Sequence, residues 1–189
     1  MLTALLLHIT LVFPAGHPFS PLTLRTAVAE AATVWAPYGV TIDMGELCEE
    51  SADHNDWLSV VIVEAGPLRP AQSGPLGAIT FGPDGNPAPI VTVFLSDLLR
   101  FVSGSRVLGA FAWQWPQSMR DEIIGRVLGR VLAHEIGHYV LRSPRHAPGG
   151  LMQPVQFADV LVSPERRAFV LSATEAARLH SVSAQAGRH

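Results

Sequence analysis

Two histidines four residues apart, His134 and His138, enclose Glu135 inside a run that reads as one long helix. On an α-helix that spacing places two side chains about 6 Å apart along the axis and roughly 40° apart around it, so both imidazoles can face one metal ion. Glu135, next to the first histidine, stands where a carboxylate reaches a water held at that ion. The pattern H-E-x-x-H therefore constrains the whole chain. The helix must be buried on one side and open on the other, and later residues must return to complete the ligand set. The pentapeptide alone is not decisive, since three fixed residues in five arise by chance in many helices.

The residues around it support a long, closely packed helix. It is expected to begin near residues 116–118, with Ser118 ahead of Asp121 and Glu122 as the N-terminal signature. Ser143-Pro144 stops it, because proline lacks the N–H and disfavours helix at the preceding residue. Ile124, Val127, Leu128, Val131 and Leu132 form the apolar face. Gly125, Gly129, Ala133 and Gly137 recur every four residues. Each glycine costs a helix interior about 1 kcal/mol relative to alanine, a cost that makes sense if another element packs tightly against this ridge.

Bulk properties exclude several classes. At 189 residues, 48% hydrophobic and 15% charged, the chain is no disordered segment and can bury a sizeable core. One domain over residues 1–189 is expected, with an N-terminal part to about residue 142 and a C-terminal part from about 143. The 13 basic residues are all arginine and scattered, so no stripe points to nucleic acid. Cys48 is the single cysteine, which excludes a disulfide framework and a cysteine-rich zinc site. A lone thiol can block a metal from a removable leader, but Cys48 follows a strand candidate inside the domain, so this is the lesser reading. The apolar start, residues 1–13, has no early Lys or Arg and no A-x-A cleavage site, and is too short to span a membrane. It reads as a buried strand, which favours a cytoplasmic location over secretion and no membrane partner.

In order, residues 5–13 suit a central strand covered on both faces, with His8 a satisfied core histidine. Ser20 and Pro21 open a helix over 22–35, ended by Pro37 and Gly39. Strands follow at 40–44 and 57–63. The polar segment between them holds Asp53, His54 and Asp56, read as a solvated loop before a cation site. Residues 77–81 and 90–95 read as antiparallel neighbours joined by a turn at 83–87, and 96–102 as a helical turn. The aromatic run 111–115 either lines a cleft or covers the core. Ser163-Pro164-Glu165 opens a last helix running to about residue 180. There is no internal repeat.

A hydrolytic zinc ion takes three protein ligands and leaves a position for water. His146, just past the helix break, is the favoured third ligand, because a short loop returns it at little closure cost. Asp159, Glu165 and Glu175 are the rivals. Glu135 would take the proton of the attacking water and pass it to the leaving amine. A non-catalytic zinc protein using the same cage for structure or partner binding is the alternative, although such a site has no need of Glu135.

Residues 134–154 resemble the metzincin clan of zinc-dependent metallopeptidases. Leu151-Met152-Gln153-Pro154 is similar to its Met-turn, in which a methionine, here Met152, forms an apolar floor beneath the zinc. The order of elements also resembles the clan's N-terminal half. The chain departs from the pattern H-E-x-x-H-x-x-G-x-x-H: Leu141 stands at the glycine position, Pro144 at the third-ligand position, and His146 two residues later. The resemblance implies an α+β, zincin-like fold, with a twisted mixed sheet, a backing helix, a long active-site helix and a small C-terminal part. It implies an endopeptidase with one Zn2+ and a peptide or protein substrate. That substrate would be added as an antiparallel strand to residues 77–81, at Gly77, Ala78 and Ile79.

Overall fold

The sheet forms around β1, Leu5–Val12, whose alternate residues Leu7 and Ile9 are buried. The computed structural model describes residues 5–44, 57–64, 74–154 and 158–186. Cys48, Asp53, His54 and Asp56 lie outside them. β2 (Val40–Met44) and β3 (Trp57–Val63) flank β1 in parallel, and β5 (Pro87–Phe94) lies parallel to β3. β4 (Gly77–Phe81) closes one edge, antiparallel to β5 as expected, so the order is β2-β1-β3-β5-β4.

Leu7, Ile9, Leu58, Val60, Ile62, Val91 and Val93 point to one side, where α1 (Pro21–Trp35) and the long α3 (Gln117–Val140) pack on each other. The expectation that β1 is covered on both faces is corrected. Leu6 and Val12, on its other face, are 43% and 44% exposed. His8 belongs to that open face too. Its Nδ1 lies 2.6 Å from Asp43 Oδ1 and its ring stacks on Trp57, so it is satisfied but is no core residue. The continuous apolar run in β1 does not distinguish the two cases, because β-branched residues suit a half-covered strand as well.

Ser20 caps α1 as expected, its Oγ accepting from the Thr23 N–H at 3.1 Å, with Pro21 opening the helix. The small-residue ridge on α3 faces two neighbours. A Cβ on Gly125 or Gly129 would overlap the α1 carbonyls of Thr23 and Ala27, and one on Gly137 would overlap Met152 Sδ. Trp35 Nε1 donates to Ala133 O at 3.0 Å between them. The start of α3 differs slightly from expectation: Pro116 takes the cap position without a side-chain bond, and Ser118 falls inside the first turn.

After β5 come α2 (Leu95–Ser103) and a small hairpin, β6 (Arg106–Val107) and β7 (Ala110–Phe111). In the aromatic run that follows, Ala112 and Trp115 are buried and Trp113 is exposed. Beyond α3, the short α4 (Ala158–Val162) is fastened by arginines. Arg130 Nη1 donates to Val160 O and Leu161 O, and Arg126 Nη1 donates to Val162 O, at 2.7, 3.0 and 2.9 Å. The last helix, α5 (Ala173–Ala186), starts ten residues later than the Ser163-Pro164-Glu165 signal suggests. Its cap is a reciprocal pair: the Glu175 N–H donates to Ser172 Oγ, and the Ser172 N–H to Glu175 Oε2. Residues 163–169 are held out of helix because Glu165 O accepts from Arg130 Nη2 and Phe169 packs under the Arg130 guanidinium. Among the described residues no helix is long and apolar enough to cross a membrane.

Candidate metal centre

His134 and His138 project from one face of α3, and the loop after it returns His146 beside them. The His138 Nε2 lies 3.2 Å from His134 Nε2 and 3.3 Å from His146 Nε2. The ligating atoms of all three lie within 4.8 Å of one another. His134 Nδ1 meets Leu151 O at 2.8 Å and His138 Nδ1 meets Ser143 O at 2.7 Å. A carbonyl only accepts, so each Nδ1 carries the hydrogen and each neutral ring turns an Nε2 lone pair inward. Lone pairs facing one another across 3.2 Å repel unless a cation sits among them. The donor set thus fits a metal ion of the kind imidazoles favour, zinc included.

The electrostatics agree. Burial lowers the pKa of His134 to about 4; its bond to Leu151 O works the other way, and the charges of His138 and His146 lower it further. Burial also lowers His138 and His146. At neutral pH all three are unprotonated, the form that binds metal.

Glu135 shares a cleft of about 580 Å³ with the histidines, and so do Gly77, Ala78 and Ile79 of β4. Its side chain makes no hydrogen bond or ion pair within the described residues, and burial alone pushes its pKa up to about 8. Met152, 1% exposed, sits under the helix at Gly137, between the two histidines in sequence. The loop that carries it is fixed by Ala147 N–H donating to Met152 O and Leu151 N–H donating to Val170 O.

The reversal after α3 is made without glycine. Arg142 adopts φ +46°, the left-handed region, while Leu141 stays right-handed. The Ser143 N–H then reaches back to His138 O at 3.1 Å. From α5, Arg178 donates through Nε to Leu141 O at 2.6 Å and through Nη2 to Arg142 O at 2.9 Å. The rival carboxylates are engaged elsewhere: Asp159 with the Val160 N–H, Glu165 with Arg167, and Glu175 with the α5 cap. None joins the histidine group.

Sequence reasoning missed Phe101 and Leu161, which line the same cleft, and Arg178, which closes the turn. No local pattern marks them, since each reaches the cleft or the turn from a separate element of the chain. The aromatic run 111–115 does not line the cleft.

No family model and no curated protein matches the chain. Among solved structures, a zinc-dependent peptidase from Methanocorpusculum labreanum (strain Z) is similar in fold. Its TM-score is 0.52 at 14% sequence identity, covering 90% of this chain and 99% of that one. In this chain the fold is a mixed, mostly parallel sheet backed by helices. In this chain that fold carries three histidines that could bind a metal.

Proposed function

We propose that this chain is a zinc-dependent endopeptidase of the metzincin type. One observation carries the reading: three inward Nε2 atoms converge beside a buried carboxyl that has no partner among the described residues, at the foot of a sheet edge. His134, His138 and His146 would hold one zinc ion, with Met152 packed beneath as the Met-turn. Bound zinc supplies a Lewis acid that makes water acidic near neutral pH and stabilises negative charge on the attacked carbonyl oxygen. With zinc held beside it, Glu135 would be ionised, the cation offsetting the burial that otherwise keeps its proton on. It would then accept the proton of the attacking water and deliver it to the leaving amine nitrogen as the peptide bond breaks. The outer edge of β4 has no strand beside it in the described sheet, and an extended peptide paired there reaches the same cleft through Gly77, Ala78 and Ile79.

The likeness to a zinc-dependent peptidase supports this reading at the level of the fold. The test is zinc stoichiometry and cleavage of a broad peptide library by the wild type and Glu135→Ala. The wild type is expected to hold one zinc and cleave, and the variant to keep its zinc while losing about 10²–10⁴-fold in kcat. Zinc binding without cleavage by the wild type would favour a structural or partner-binding cage instead.

A further inference from the structure

Gly77 opens the edge strand and lies directly against the side chain of Glu135. A Cβ built there falls 2.9 Å from Val131 Cγ1, 3.0 Å from Glu135 Cγ and 3.1 Å from Glu135 Oε1. Such contacts are tighter than side chains tolerate without moving, whereas the backbone at Gly77 is outside the positive-φ region, so glycine is needed here for space alone. The atoms in the way belong to side chains, which can give, and not to backbone. Of the two, Glu135 is the freer, because no hydrogen bond or ion pair within the described residues holds its carboxyl. Its location is set by walls: Val131 one turn back on α3, and the bare backbone of β4.

We propose that Gly77 is a positioning residue for Glu135: the side-chain-free start of the edge strand is the surface on which that carboxylate rests. The strand that would pair with substrate thereby also sets the reach of the group that would move the proton. This rests on the reading of Glu135 given above and changes the role of Gly77 from backbone contact alone. The two roles part at alanine, which keeps the N–H and C=O for strand pairing but pushes Glu135 by several tenths of an ångström.

The experiment compares Gly77→Ala, Val131→Ala and the double variant with the wild type and Glu135→Ala. Measured are kcat, KM, zinc affinity and the visible absorption of the cobalt-substituted protein. Gly77→Ala is expected to lose about tenfold in kcat, since misplacement by 1 Å costs on the order of 10²-fold. KM and zinc affinity should stay within about twofold, because backbone pairing and the histidine cage are untouched. Its cobalt spectrum should shift in the direction that Glu135→Ala shifts it. The double variant removes the closest obstacle and relieves strand crowding, so it is expected to fold even if Gly77→Ala does not. It should still lose kcat relative to Val131→Ala, because the contact with Glu135 remains. Wild-type kcat and cobalt spectrum in Gly77→Ala, or full recovery of both in the double variant, would overturn the proposal. A wild type that cleaves nothing, combined with a cobalt shift in Gly77→Ala matching that of Glu135→Ala, would remove the hydrolytic reading and leave the positioning role standing.

Discussion

Arg130 and Glu135 sit five positions apart on α3, ionisable and 1% and 6% exposed, and their surroundings treat them in opposite ways. Arg130 is paired through each of its nitrogens. Its Nε donates to Glu30 Oε1 at 2.8 Å, Nη1 to Val160 O and Leu161 O, and Nη2 to Glu165 O. Glu30 in turn accepts from Arg166 at 2.6 and 2.9 Å. Glu135 has no such partner among the described residues, and in the metal-free chain burial keeps its proton on to about pH 8. Burying a charge costs several kcal/mol unless it is paired and hydrogen-bonded. The first group meets that condition and fastens three segments together. The second does not, and the fold tolerates it one residue from the histidine cluster. A buried group left unsatisfied in a cleft is the arrangement that chemistry on a substrate requires, whereas a satisfied one serves the fold.

The sharpest way to break this contrast is to remove the partner of the paired group. Glu30→Gln leaves the fully buried Arg130, with the half-exposed Arg166 beside it, facing an uncharged amide. The expected loss is about 3–5 kcal/mol of stability, a fall in Tm on the order of 10 °C for a chain of this size. Thermal denaturation of the metal-free protein checks it, and a Tm within about 2 °C of wild type would mean that the Arg130 cluster is not what holds α4 and residues 163–169.

The same neutralisation at Glu135 is expected to act in the other direction. In the metal-free folded chain Glu135 holds its proton to about pH 8, against an ordinary value of 4.5. Between those values the folded state binds the proton and the unfolded state has released it, so stability falls as pH rises. Glu135→Gln does not titrate and escapes that loss. The gap in stability between variant and wild type should therefore open from pH 5 to pH 8, reaching about 2 kcal/mol after relaxation is allowed for. His134, lowered to about 4, acts at the acid end, where stability falls as pH drops; both proteins share that term and it cancels. A gap that stays constant with pH would show that Glu135 is ionised in the metal-free fold.

The paired cluster was invisible in the sequence and the unsatisfied site was legible, for one physical reason. His134, Glu135 and His138 act through helix geometry over five residues, and His146 through a short return, so spacing alone brings them together. Glu30 and Arg130 are 100 residues apart, and only the packing of α1 on α3 joins them. The misplaced start of the last helix has the same origin. Ser163-Pro164-Glu165 and Ser172-x-x-Glu175 both read as helix openings. The first is overruled because Arg130 holds Glu165 O from another element. The strands were legible from their apolar runs, but how many faces of β1 are covered depends on where the helices pack. Gly77 read as part of a strand; that it marks a close approach to Glu135 depends on how β4 crosses α3.

The smallest effect is expected where the site borrows support from the fold, at the turn between α3 and His146. A non-glycine residue at φ +46°, as Arg142 is, costs on the order of 1 kcal/mol, and glycine would avoid it. Arg178 offsets that cost by donating to Leu141 O and Arg142 O, the last carbonyls of the helix end. The side chain is partly solvated, so its bonds are worth about 1 kcal/mol and not the larger value of a buried charge-assisted pair. His134 and His138 keep their own carbonyl partners when Arg178 is removed, but His146, four residues past Arg142, loses part of its preorganisation. Arg178→Ala should weaken zinc binding about three- to tenfold, less than the 10–100-fold typical of a partner that touches a ligand directly. Arg142→Gly in that background should recover most of the affinity, because glycine holds the left-handed turn without help. Competition against a chromophoric chelator measures both. Unchanged affinity in Arg178→Ala would show that the bond from the Ser143 N–H to His138 O fixes the turn by itself.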